Sequence, residues 1–81
     1  MKAHVYVTPK LTVLDPQGQA IQNALRKMQY SGVEAVRQGK YFVLTLENSL
    51  TPEAAKALVE RIAREVLTNP VIEEYSFTIE N

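Results

Sequence analysis

The sequence predicts an α+β protein: a two-layer sandwich in which a mainly antiparallel sheet carries two helices on one face. Three observations point there. Apolar residues alternate with a period of two near both ends and in the middle of the chain, and two intervening segments repeat them at helical spacing. Each helical segment also opens with a capping residue followed by proline. With 81 residues, the chain is read as one domain spanning 1–81. A domain of this size is only marginally stable alone, so self-association as a homodimer or a dimer of dimers is expected.

Residues 3–8 set Ala3, Val5 and Val7 on one face and His4, Tyr6 and Thr8 on the other, as in a half-buried strand that Pro9 ends. The hexapeptide Val13-Leu14-Asp15-Pro16-Gln17-Gly18 then starts a helix. Asp15 is placed to accept from the free N–H groups of the first turn, and Pro16 occupies the first helical position, where a missing N–H costs nothing. Gly18 does not fit that logic, because glycine inside a helix costs roughly 0.5–1 kcal/mol relative to alanine. It implies a close approach to the backbone, from a partner or otherwise. Ile21, Ala24, Leu25 and Met28 form the apolar stripe, and Ser31-Gly32 is the expected stop.

From Val33 to Glu47 the chain is rich in β-branched and aromatic residues, with Phe42, Leu44 and Leu46 opposite Tyr41, Val43 and Thr45. Gly39 interrupts it, which is compatible with a two-residue hairpin at Gly39-Lys40 or with one bent strand. Thr51 and Pro52 open a second helix that is expected to bury Ala55, Leu58, Val59, Ile62 and Val66, and Asn69-Pro70 stops it. Its charged residues four apart, Lys56–Glu60, Glu60–Arg64 and Arg61–Glu65, are worth about 0.2–0.5 kcal/mol each and do not mark a site. Tyr75, Phe77 and Ile79 alternate with polar residues in a closing strand. The order is βα, a long strand or hairpin, then αβ, and the result should look ferredoxin-like.

The second sheet face would carry His4, Tyr6, Tyr41 and Val43, and this apolar set is a candidate self-association surface. Nine basic and nine acidic side chains give no net charge, so neither nucleic acid nor an anionic membrane is favoured as a partner. The N-terminus lacks the apolar core of a signal peptide, and no run is long enough to span a bilayer, so a cytoplasmic protein is expected. With no cysteine, one histidine and one aspartate, neither a hydrolytic triad nor a zinc site can be assembled. Glu73 and Glu74 point to opposite faces of a strand and are expected to be solvated rather than to form an acid pair. The three glycines lack phosphate-loop spacing. Catalytic, cofactor and metal residues are therefore not expected. Lys10, Gln17, Arg37 and Lys40 remain as candidate contacts for a partner or an anion.

Val13 to Gly18, followed by Ala20-Ile21, Ala24-Leu25, Val36-Arg37, Gly39-Lys40 and Asn69-Pro70-Val71-Ile72-Glu73, resemble in order the hallmarks of the PurS family, the small subunit of phosphoribosylformylglycinamidine (FGAM) synthase. Thr12 and Gln29 stand where that family often has glycine, so those two loops should differ in backbone. The resemblance implies a ligase complex of purine biosynthesis. Its PurL subunit uses ATP and Mg to amidate formylglycinamide ribonucleotide, and PurQ releases ammonia from glutamine. The PurS-like chain would be a non-catalytic bridge that aids ammonia transfer. Asp15, Pro16, Gln17, Gly18, Arg37, Gly39 and Lys40 are its expected partner-interface residues. A ligand-binding regulatory domain of the ACT type shares this element order and is the main alternative. An acylphosphatase-like enzyme would need an arginine in the loop after the first strand, and Pro9-Lys10-Leu11-Thr12 has none.

Overall fold

The computed structural model describes all 81 residues. The elements run β1 (Lys2–Pro9), α1 (Pro16–Lys27), β2 (Lys40–Thr45), α2 (Pro52–Ile62), a π-helical turn (Ala63–Leu67) and β3 (Glu73–Glu80). The sheet has three strands in the order β2-β1-β3, with both pairings antiparallel. Val5 lies opposite Phe42 on one side and Phe77 on the other, so the apolar residues of all three strands share one face. Ala3, Val5 and Val7 of that face are sealed against Val59 and Ala63.

Of the long middle stretch only Lys40–Thr45 is strand; residues 33–39 are neither strand nor helix, so neither the hairpin nor the single bent strand forms. Gly39 is where the chain joins the sheet. A Cβ there would lie 2.4 Å from the Val7 carbonyl oxygen, so only glycine lets the incoming chain approach β1 this closely.

Both helices start as the sequence predicts. Asp15 Oδ1 accepts from Gly18 N at 3.1 Å, and Thr51 Oγ1 accepts from Ala54 N at 3.1 Å. Their ends differ from expectation. α1 stops before Ser31-Gly32, in a Schellman arrangement in which Tyr30 N donates to Leu25 O and Gln29 N to Arg26 O. Gln29 takes the left-handed position, at φ 64°, which a glycine would occupy without cost. α2 widens into the π turn, and the extra residue per turn rotates its last side chains. Ala63 and Leu67 therefore continue the core row below Val59, while Val66, expected in the core, is 73 % exposed. Leu58 and Ile62 border the edge of β2 rather than the core centre.

The two helices do not share the sheet face equally. α2 covers it, whereas Gly18 is the only buried residue of α1. The Cα radius of gyration is 16.1 Å, with extents of 51 × 26 × 14 Å; a compact chain of this length would have a radius near 12 Å, roughly. α1 and the segment that follows it thus project beyond the sandwich. No helix is long and apolar enough to cross a membrane.

Candidate functional site

Two groups of the residues singled out in the sequence are brought together, at different places. The first surrounds the start of α1. Asp15 caps the helix with one carboxylate oxygen, and the other accepts from Gln38 N at 2.8 Å. Gln38 Nε2 donates to Gln17 Oε1 at 2.7 Å. A Cβ on Gly18 would meet the Val36 carbonyl oxygen at 2.4 Å and Arg37 Cα at 3.1 Å. The close approach implied by Gly18 is therefore made by the chain's own residues 36–37. These contacts latch the root of α1 to the strand-side segment, 23 residues away for Asp15 and Gln38. The N–H of Gln38 first, then that of Gly18, holds the Asp15 carboxyl below its ordinary value of 3.8. Pro16 and Arg37 are exposed at the rim of the latch.

Lys40 is engaged elsewhere. Its Nζ lies 3.3 Å from Glu73 Oε2, across the end of the sheet where the apolar face runs out. Glu73 also accepts from Asn69 N at 2.9 Å, which is the main cause of its lowered pKa. Expected to be solvated, its side chain is only 14 % exposed, because it closes the turn before β3 and neutralises Lys40. Glu74, one residue on, is exposed, as strand alternation requires. Lys10 enters the same corner through its backbone, donating to Ile72 O.

The second group lies on the open sheet face. His4 pairs with Val43, and Tyr6 with Tyr41, across β1 and β2. The Tyr6 and Tyr41 rings stack at 5.2 Å, and the His4 ring stacks on Tyr41 at 5.9 Å. Register brings this about: residues 4, 6, 41 and 43 share one pleat face, and large flat side chains in cross-strand positions cover one another. The hydroxyl of Tyr41 is 2.6 Å from His4 Nδ1, and His4 Nε2 is 3.5 Å from Glu80 Oε2. At 3.5 Å the second contact is an ion pair only when His4 is protonated and too long for a strong hydrogen bond, so Nε2 is a buried polar atom without a close partner. Tyr6, Tyr41 and Val43 remain exposed. No group of three or more His, Cys, Asp or Glu residues is placed to hold a metal ion.

Sequence reasoning missed Gln38, the Val36 carbonyl and Gln29. The first two act through backbone or amide groups that leave no compositional signal. Gln29 was visible only as a residue standing where glycine is usual.

The fold and these groups define a small α+β protein with one helix-covered sheet face, one aromatic open face and a projecting, latched helix. Comparison with known proteins gives the family. Residues 2–81 match the family model described as PurS: Phosphoribosylformylglycinamidine (FGAM) synthase, and the chain belongs to that family. It is 46 % identical over 79 residues to the phosphoribosylformylglycinamidine synthase subunit PurS of Bacillus subtilis, covering 98 % of this chain and 92 % of that one. A crystal structure of B. subtilis PurS superposes with a TM-score of 0.84 at 45 % identity, covering 99 % and 98 % of the two chains. A chain of the PurLQS structure from Thermotoga maritima gives 0.74 at 30 % identity, covering 95 % and 93 %.

Proposed function

We propose that this chain is the non-catalytic small subunit of FGAM synthase, and that it acts by holding PurL and PurQ together while ammonia passes between them. The observation that carries the reading is the match along nearly the whole chain to PurS, including a relative found in a PurLQS structure. The local chemistry supports it. The polar groups of the hexapeptide and of Lys40 are engaged in the chain's own fold, which fixes the shape of the surface a partner would meet. The exposed rim of the latch, with Pro16, Gln17 and Arg37, is the partner-facing part of that region. Gly18 shapes it from beneath, and Gly39 seats the following strand against β1. His4, Tyr6, Tyr41 and Val43 form the self-association face.

A bridge of this kind raises the rate by positioning two active sites so that a reactive intermediate is not lost to water. ATP and Mg belong to the PurL partner in this reading, and the work is cytoplasmic. The test is reconstitution with PurL and PurQ from the same source. Glutamine-dependent synthesis of FGAM should require the chain, while ammonia-dependent synthesis by PurL should depend on it less. Full glutamine-dependent activity of PurL and PurQ without the chain would overturn the proposal.

A further inference from the structure

The polar contacts of the open sheet face draw one residue from each strand into a line. His4 stands on the central strand, between Tyr41 of β2 and Glu80 of β3. The Tyr41 hydroxyl lies 2.6 Å from Nδ1 of His4, and Oε2 of Glu80 lies 3.5 Å from Nε2. Nε2 is buried and meets no closer partner. These contacts assign the tautomer. A bare Nε2 would turn its lone pair toward a carboxylate, so Nε2 carries the proton and Nδ1 is left to accept from the Tyr41 O–H. The chain's only aspartate is committed to capping α1, but the register of the sheet supplies a glutamate in its place.

A hydroxyl within hydrogen-bond reach of a base, with the base oriented by a third group, is the arrangement that activates a side-chain nucleophile. From it we infer that Tyr41 is an acyl-acceptor site, whose phenol oxygen reacts with activated acyl compounds, the class that includes acyl imidazoles and acyl phosphates. The inference rests on the open face alone and does not depend on the reading of PurL and PurQ as partners. In the reaction the Tyr41 oxygen attacks the acyl carbon, and its proton passes to Nδ1 of His4 as the new O–C bond forms. The bond between the acyl carbon and the leaving group then breaks, and the leaving group departs with the electron pair. Glu80 steadies the imidazolium until it gives the proton to the leaving group or to water. The product is one acylated Tyr41 per chain, with the imidazole restored. Packing suits this role. The Tyr41 ring stacks on both His4 and Tyr6, with planes 7° and 15° from parallel, which holds the hydroxyl against Nδ1. Tyr41 is nonetheless 55 % exposed, so an acyl donor reaches it from solvent.

The chain carries its own controls. Tyr30 is 60 % exposed, and Tyr6 shares the open face with Tyr41, but only Tyr41 has a base at its hydroxyl. Exposure alone therefore ranks Tyr30 level with Tyr41, whereas the His4 contact ranks Tyr41 first. The folded chain is treated with N-acetylimidazole near neutral pH, at a dilution where it is monomeric, and O-acetylation of each tyrosine is followed by peptide mass spectrometry. Tyr41 should react at least about tenfold faster than Tyr6 or Tyr30. His4→Gln keeps a polar group beside the hydroxyl but no base, and should bring Tyr41 down to the rate of Tyr30. Glu80→Gln should lower the rate in part, and Glu80→Asp, which keeps the charge, should restore most of it, with the circular dichroism of every variant matching the parent. A second copy seated on the open face would cover Tyr6 and Tyr41 alike, so the ratio of the two reports the base and not coverage. Tyr41 reacting no faster than Tyr30, acetylation settling on His4 instead, or selectivity that survives His4→Gln or Glu80→Gln would overturn the assignment.

Discussion

Helices α1 and α2 are built from nearly the same local instructions and end in opposite circumstances. Each has a side-chain cap that accepts an N–H three residues on and a proline at the first helical position, and they have 12 and 11 residues. Both carry an apolar stripe. Yet α2 seals Ala55, Val59 and, in the following turn, Ala63 completely, while α1 buries only a glycine. The difference teaches that capping and periodicity decide whether a helix forms, and that the connection decides what its face meets. α2 is held over the sheet because β3 follows it through a short turn and pairs with β1. α1 is held off because its root is latched to the segment that leads into β2.

The sharpest way to break the comparison is to place one change in both stripes. Val59→Lys buries a charge in the sealed core and should cost about 4 kcal/mol or more, enough to unfold most of the chain. Ile21→Lys, measured by urea denaturation at concentrations where the chain is monomeric, should stay within about 0.5 kcal/mol of the parent. Equal losses in the two variants would show that α1 packs on its own sheet in solution.

Gly18→Ala tests the latch. In an ordinary helical position this change would be neutral or stabilising. Here the added methyl meets the Val36 carbonyl oxygen at 2.4 Å, so a loss of about 1–3 kcal/mol is expected in the isolated subunit. A Gly18→Ala chain as stable as the parent would mean that residues 36–37 are not held against α1.

Asp15 distinguishes the two caps by pH. Its carboxyl is lowered from 3.8 by the N–H groups of Gln38 and Gly18. A depressed carboxyl contributes stability that is complete above the unfolded-state value and is lost as pH falls through the lower folded-state value. As pH falls below about 5, Asp15→Asn should therefore lose less stability than the parent. Glu73, lowered for its own reasons, contributes equally to both proteins and cancels in the difference. The Thr51 cap has no charge to titrate, so Thr51→Ala should leave the acid slope unchanged. An acid slope identical in the parent and Asp15→Asn would remove the Gln38 contact from the account.

The smallest effect is expected where α1 ends. Gln29→Gly relieves a left-handed side-chain residue but loosens the unfolded chain, and the balance should be a gain of about 0.5 kcal/mol. A loss would indicate that the Gln29 side chain makes a stabilising contact.

Much of this protein was legible before any coordinates. The starts of both helices, the alternation of β1 and β3 and the division of Tyr41–Leu46 into two faces all follow from residues acting on near neighbours, and the resemblance to PurS was carried by the ordered motifs from Val13 to Glu73. A cap needs only an N–H three residues away, and alternation needs only the geometry of an extended chain. Other features could not be read this way. Glu73 meets Lys40 across the sheet, Asp15 meets Gln38, and Gly39 packs against Val7, and each pairing joins segments that only the folded chain brings together. Val66 lost its place in the core because of a π turn that periodicity at 3.6 residues does not contain. By itself the sequence determined the class of the fold, the capped helices and the family. Tertiary structure decided that one helix is packed and the other projects, because the path of the connections sets which apolar faces can meet and local pattern does not.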